Sequence, residues 1–123
     1  MLLKPVFINT LMDATNITHP TNFNYIKHVT ARGLWVLVKY ARGTYVYFSP
    51  RRIVKSAGVQ DTPMVLHLVR YVLDGLVKNG YIYFMGRRQK YIYYINRDSP
   101  LWGLIKQSNG PEDVLSFLEK VVV

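Results

Sequence analysis

Apolar residues recur at helical spacing in two long segments of the chain. Residues 24–43 place hydrophobic side chains at i, i+3, i+4 and i+7, at Leu34, Leu37, Val38 and Ala41. This spacing predicts a first amphipathic helix, with Gly43 as its C-cap. A second stripe of the same helix carries mostly polar and basic groups, at His28, Arg32, Trp35, Lys39 and Arg42. The pattern therefore predicts one face in the core and another in solvent.

Residues 61–80 repeat the helical pattern more strongly. The apolar stripe consists of Val65, Val69, Val72, Leu73 and Leu76. The opposite stripe consists of His67, Arg70, Tyr71, Asp74 and Lys78. Asp61 or Thr62 is expected to cap this helix, with Pro63 in its first turn, and the pair Asn79-Gly80 is expected to end it.

Shorter elements fill the space around these two helices. Residues 44–48 read as a strand, and Ser49-Pro50 begins a short helix that Gly58 would end. Residues 81–95 contain two tyrosine-rich runs around a tip of Gly86, Arg87, Arg88 and Gln89, which predicts a β-hairpin.

The two ends of the chain add helices. Residues 1–23 suggest a short helix followed by an Asn/Thr-rich loop. Ser99-Pro100 is another helix start, and Pro111, Glu112 and Asp113 suit the N-terminus of a last helix. The last helix has an apolar face formed by Val114, Leu118, Val121 and Val122.

Charge distinguishes the middle of the chain from its ends. The net charge is +9 in 123 residues. Residues 24–97 hold thirteen Lys or Arg against two acids, a net of +11, whereas residues 98–123 hold two against four, a net of −2. A basic field confined to one segment is typical of a surface that binds a polyanion.

The composition argues against several classes of protein. The chain has no cysteine, which excludes disulfides and thiolate metal sites and fits a cytoplasmic protein, nucleoid-associated or otherwise intracellular. No stretch of about 18 apolar residues predicts a membrane span, and the N-terminus is too short and broken for a signal peptide. No motif for a cofactor, a small-molecule ligand or a metal occurs.

The order of the predicted elements is helix, strand, helix, helix, strand, turn, strand. Over residues 24–97 this order resembles the winged helix-turn-helix family of DNA-binding proteins. The stretch "VLDGLVKNGYIYF" carries the most specific likeness, with Leu76, Gly80 and Ile82 at the positions of the family pattern. The resemblance implies one α+β domain over residues 1–123, with a core at 24–97, an N-terminal extension at 1–23 and C-terminal helices at 99–123. The third helix is about a turn longer than in many members.

The resemblance also implies a division of roles on double-stranded DNA. The third helix would enter the major groove, the second would cross the backbone, and the hairpin would be the wing. Independently of any family, adjacent exposed cations at a hairpin tip suit phosphate oxygens, so we expect Arg87 and Arg88 to bind phosphate without reading bases. The expected DNA-binding residues are Arg51, Arg52, Lys55, Thr62, His67, Arg70, Tyr71, Lys78, Arg87, Arg88 and Lys90.

The hairpin tyrosines allow two interpretations. They can pack the hairpin on the core, with some hydroxyls reaching phosphate, or their exposed rings can stack on single-stranded bases. We expect packing, because alternation along the sequence does not by itself expose tyrosine faces.

Other functions remain open at this stage. An enzyme is not expected, although a toxin-like nuclease built from Arg, His and Tyr is an alternative, and His28 with His67 could bind a metal. A winged-helix subunit of a transcription or replication assembly is a second alternative, and an RNA or single-strand binder is a third. Competition between duplex DNA, single strands and duplex RNA at equal salt would separate a DNA binder from an RNA or single-strand binder.

The apolar last helix favours a homodimer that reads two half-sites, although the same face could instead cover the domain's own core.

A cysteine-free composition rich in Tyr, Val and Arg is typical of proteins from hot habitats. It resembles the small winged-helix proteins of thermophilic archaea and their viruses.

Overall fold

A computed structural model describes residues 22–86 and 91–122 of the chain. Within these ranges the protein is α+β, with five helices and a three-stranded antiparallel sheet in the order β1-β3-β2. The elements are α1 (Phe23–Lys39), β1 (Tyr45–Phe48), α2 (Pro50–Ser56), α3 (Pro63–Lys78), β2 (Tyr83–Gly86), β3 (Ile92–Asn96), α4 (Pro100–Gln107) and α5 (Glu112–Val121). Their order is the predicted one, and it is compatible with a winged-helix-like arrangement.

Three helices begin with the same local chemistry, a hydroxyl cap followed by proline. Ser49, Thr62 and Ser99 each accept a hydrogen bond from a first-turn backbone amide, and a proline occupies the next position. Proline suits this position because its fixed φ is helical and its missing N–H would have no intrahelical partner. Thr62, rather than Asp61, is thus the cap of α3. After α3, Gly80 adopts a φ of 81°, a conformation that favours glycine, and the chain turns into the hairpin.

The prediction that Gly43 caps α1 is wrong, because a lysine from another helix stabilises this end. The helix stops at Lys39, and the Lys106 ammonium donates to the carbonyl oxygens of Lys39 at 3.3 Å and Ala41 at 2.7 Å. Lys39 in turn donates to the carbonyls of Lys106 and Ser108 at the end of α4, at 2.8 and 2.7 Å. Each ammonium therefore neutralises the negative end of the other helix.

The core lies between the helices and the inner face of the sheet, and α4 and α5 contribute to it as well as α1, α2 and α3. Of the predicted apolar stripes, Val38, Val69, Leu73 and Leu76 are fully buried, whereas Leu37 is only partly buried. Ile53 of α2 is also fully buried. The expected polar stripe of α1 is also partly covered, because the Trp35 indole donates a 2.9 Å hydrogen bond to the Ser108 hydroxyl. The C-terminal helices thus take up part of a face that the sequence pattern assigns to solvent.

The sheet separates its side chains into two faces. Phe48, Tyr93 and Ile95 point into the core and are buried. Tyr47 pairs with Tyr94 across β1 and β3, and Tyr83 pairs with Tyr94 across β2 and β3, which places these three rings on the opposite face. β2 contains an irregularity between Phe84 and Gly86.

The apolar face of α5 packs inside the chain. Val114, Leu118 and Val122 are buried, and Val122 lies against Gly75 of α3, where an added Cβ would come within 3.2 Å of its Cγ1. Gly75 therefore allows Val122 to pack closely against α3. Since the homodimer prediction was based on this face, that prediction now stands without its original support.

The predicted N-terminal helix and loop lie outside the described residues, apart from Asn22, which caps α1. In the part of the chain that the structure describes, no helix is both long enough and apolar enough to cross a bilayer.

The contact between α1 and α2 provides a test of the fold. A Cβ at Gly33 would lie 2.7 Å from Ile53 Cγ2 and against the Ile53 carbonyl, so Gly33→Ala must push the two helices apart. We expect a loss of about 1–3 kcal/mol in the free energy of unfolding. Gly103→Ala is the matched control, since a Cβ there meets nothing within 4 Å and should add up to about 1 kcal/mol through helix propensity. Urea denaturation of both variants measures this, and two shifts of the same sign would contradict the packing.

Candidate nucleic-acid interface

Two clefts run along the exposed side of α3. The first, of about 570 Å³, lies where the N-terminal turns of α2 and α3 meet the hairpin. It is lined by Ser49, Pro50, Arg51, Pro63, Leu66, His67, Arg70 and Tyr91. The second, of about 440 Å³, lies between the C-terminal half of α3 and the hairpin, and it is lined by Arg70, Asp74, Val77, Lys78, Phe84 and Tyr91. Arg70 and Tyr91 belong to both clefts and divide them.

Arg70 is held against the hairpin by an aromatic ring and a carboxylate. Its guanidinium carbon lies 4.2 Å from the centre of the Tyr91 ring, within the range of a cation–π interaction. Its Nε lies 4.0 Å from Asp74 Oδ2, one helical turn away. Within the described ranges, no protein acceptor bonds the Arg70 Nη atoms. The side chain is therefore oriented at the rim of the clefts while its outer donors stay available to a ligand.

Asp74 also accepts a short hydrogen bond from the hairpin. The Tyr93 hydroxyl donates to Asp74 Oδ1 at 2.6 Å. Burial raises the pKa of Tyr93 above its usual value of 10, and the bond to Asp74 and the negative charge of Asp74 raise it further. The hydroxyl thus stays protonated and keeps donating. Asp74 is thus paired with a neighbouring cation, Arg70, as well as with the Tyr93 hydroxyl.

The other acid of the basic segment is paired as well. Asp61 Oδ2 lies 3.3 Å from Arg51 Nε, and the Arg51 side chain remains 63% exposed. Both acids in residues 24–97 therefore have a cationic partner, which weakens their repulsion of an approaching phosphate. Among the cations of the same segment, Lys39 is less available to a ligand, because its ammonium donates to the carbonyls at the end of α4.

The structure brings four of the predicted DNA-binding residues together around the clefts, and these are Arg51, His67, Arg70 and Lys78. Arg52 and Lys55 are exposed on α2 but line neither cleft. Tyr71 is exposed on α3, with its ring 5.8 Å from that of Phe23. Thr62 uses its hydroxyl for the helix cap. The remaining three, Arg87, Arg88 and Lys90, lie outside the described residues.

Two cleft residues were missed from the sequence. Tyr91 supports the Arg70 guanidinium, and Phe84 lines the second cleft beside it. The i, i+4 spacing of Arg70 and Asp74 was readable as a helical ion pair. The contact with Tyr91 depends on where the hairpin packs on α3, for which the sequence has no local signal.

The packing interpretation of the hairpin tyrosines is right for some rings and wrong for others. Tyr93 is buried, and Tyr81 meets Phe117 edge-on at 4.7 Å. Tyr83 instead remains 41% exposed on the outer face of the sheet. Alternation along β2 turns this residue away from the core.

Metal ligands do not cluster in the part of the chain that the structure describes. There, no three His, Cys, Asp or Glu side chains come close enough to hold a metal ion together. His67 lies in the first cleft, whereas His28 lines a separate cleft with Arg32, Pro111 and Glu112. The two histidines named as an alternative metal pair thus belong to different sites.

The burial of Tyr93 and its hydrogen bond to Asp74 predict a specific response to alkaline pH. Since the folded-state pKa of Tyr93 is raised, its contribution to stability is complete below about pH 10 and is lost as the pH rises above it. Between about pH 8 and about pH 11, wild type should lose up to about 1.4 kcal/mol more stability than Tyr93→Phe. Screening of the half-exposed Asp74 reduces this figure. Urea denaturation at both pH values measures the difference, and parallel losses in the two proteins would contradict the assignment.

Comparison with known proteins adds no relative. No protein-family model, curated protein or solved structure matches this chain.

Proposed function

We propose that this chain binds double-stranded DNA in the manner of a winged helix-turn-helix protein. α3 lies in the major groove, α2 crosses the phosphate backbone, and the hairpin of residues 81–95 acts as the wing. One observation carries the proposal. Cationic side chains from α2 and α3 surround two clefts beside the hairpin, and each acid of the same segment is paired with one of them.

The exposed face of α3 suits base readout. The helix spans 16 residues, and its apolar stripe is buried, so the opposite stripe faces outward. An α-helix fits the major groove of B-DNA. Along this stripe His67, Tyr71 and Lys78 are exposed, and Arg70 keeps its outer guanidinium donors available. Arginine recognises guanine through two parallel hydrogen bonds, which makes Arg70 the best candidate for sequence preference.

The exposed face of α2 suits the phosphate backbone. Arg52 and Lys55 are exposed there, and Arg51 is mostly exposed despite its contact with Asp61. Arg51 and Arg52 lie at the start of α2, where cations oppose the helix dipole, so an external phosphate would relieve a local repulsion. Lys55 lies in the last turn, where its charge does not oppose the dipole. The tip cations Arg87, Arg88 and Lys90 would extend the same contact. These contacts supply affinity that does not depend on base sequence.

The combination of base contacts from α3 with backbone contacts from α2 favours a role as a regulator of transcription. Backbone contacts from α2 and the wing fix the position of the protein, and base contacts from α3 select a site. A subunit that only contacts protein would not need a net of +11 in one segment. A homodimer reading two half-sites would fit the same role, but it requires a surface other than the buried face of α5. Selection of bound sites from random DNA separates the roles, since a sharp motif indicates a regulator and none indicates a nonspecific binder.

The salt dependence of binding tests the proposal. Arg52→Ala combined with Lys55→Ala should remove two phosphate contacts, and each lost contact flattens the slope of log affinity against log salt by roughly one unit. The loss should be equal on selected and random duplexes, because phosphates carry no sequence information. Fluorescence anisotropy with labelled duplexes across a salt series measures both quantities.

Lys120→Ala is the matched control for this experiment. Lys120 is an exposed lysine in the last turn of α5, in the acidic end segment of the chain. Its removal should leave the slope unchanged. Equal slopes for wild type and the α2 double variant would overturn the proposed contact, as would a loss confined to the selected duplex.

A further inference from the structure

Four tyrosines form a continuous row on the outer face of the sheet. Tyr45 and Tyr47 come from β1, Tyr94 from the central strand β3, and Tyr83 from β2. Adjacent ring centres lie 5.2 Å apart for Tyr45–Tyr47, 5.5 Å for Tyr47–Tyr94 and 4.9 Å for Tyr83–Tyr94. The row therefore crosses all three strands. We call these four residues the tyrosine face.

The tyrosine face is open to solvent. Tyr45, Tyr47 and Tyr83 are 54%, 46% and 41% exposed, and Tyr94 is partly exposed between them. Cross-strand aromatic pairs do stabilise a sheet, by roughly 0.2–1 kcal/mol each. That role accounts for contacts between the rings. It does not account for tyrosine at every one of these positions with about half of the ring surface left in water.

A trough of about 560 Å³ lies along this face. Its walls include three of the four tyrosines, the thioether of Met85 and the polar ends of β1 and β3, at Thr44, Asn96, Arg97 and Asp98. Arg97 is exposed and adds a cation beside the rings, while Asp98 is the one acid in the lining. Exposed aromatic rings beside a cation match a ligand that has both π surfaces and negative charge.

The net charge of the segment that contains the sheet indicates the kind of ligand. Residues 24–97, which contain the whole sheet, carry a net of +11. A complementary partner is therefore an anionic polymer. Proteins that hold single strands combine such a positive field with aromatic rings on which successive bases stack. In a duplex the base faces are covered by neighbouring bases, so only unpaired bases can lie on tyrosine rings.

We infer that the tyrosine face is a binding site for unpaired nucleic-acid bases, whether of DNA or of RNA. Bases stack on the exposed rings, and Arg97 contacts the backbone that links them. The inference does not depend on the proposed duplex contact, because none of the four tyrosines lines either cleft beside α3. Binding at the tyrosine face and binding at the clefts beside α3 can therefore be tested separately.

Substitution of two rings tests the site. The probes are a fluorescein-labelled oligothymidylate and an oligouridylate, each of about twelve nucleotides, within the usual range for one such surface. Tyr47→Ser combined with Tyr83→Ser should weaken binding of at least one probe by about a hundredfold, about tenfold for each ring. The ratio of the two losses shows whether the site prefers DNA or RNA.

Two matched variants separate stacking from other effects. Tyr47→Phe combined with Tyr83→Phe keeps both rings and should bind within about threefold of wild type. Tyr40→Ser removes an exposed tyrosine outside the tyrosine face, 71% exposed at the end of α1, and should also bind like wild type. If the double serine variant does not fold, as judged by circular dichroism, Tyr45→Ser replaces it and should cost about tenfold.

Several results would overturn the inference. Unchanged affinity of a folded serine variant for both probes is one. An equal loss on duplex DNA is another, because it would show that the face has no preference for unpaired bases. Sedimentation of the same variants tests whether a second copy of the chain binds this face instead. Loss of self-association with unchanged probe affinity would assign the face to that second copy. The α2 double variant should in turn lose duplex affinity while retaining most of its affinity for the single strands.

Discussion

The hydrogen bond from Tyr93 to Asp74 fixes the hairpin on α3, and the arrangement of the candidate interface depends on it. Tyr93 is fully buried, so its hydroxyl must find an acceptor inside the fold. A hydrogen bond to a charged acceptor contributes about 1.5–3 kcal/mol, and leaving the hydroxyl without one would cost a similar amount. The bond therefore selects one position of β3 on the helix.

The position of β3 on α3 determines how the Arg70 side chain is oriented. With β3 in place, Tyr91 lies under the guanidinium and Asp74 lies beside it. The same contact creates the clefts on either side of the Arg70–Tyr91 pair. A free arginine would lose rotamer entropy on binding DNA, whereas this side chain is already partly ordered. The hairpin thus orders the Arg70 side chain on α3.

Local sequence signals predicted the elements and failed where distant parts of the chain meet. The caps at Ser49 and Ser99 and the buried stripe of α3 follow from residues within a few positions of each other, and they were predicted correctly. Gly43 failed as a cap because Lys106, far along the chain, stabilises the end of α1. The cation–π contact of Arg70 with Tyr91 and the exposure of Tyr83 depend on strand register and hairpin packing, which periodicity does not specify.

The most direct test of duplex binding is an NMR titration that follows every backbone amide as a short DNA duplex is added. If α3 enters the major groove and α2 with the hairpin meets the backbone, the resonance shifts will concentrate in residues 49–56, on the exposed face of α3 and in residues 81–95. The amides of α4 and α5 will then move little. Shifts concentrated in α4 and α5, or no shifts at low salt, would contradict the account.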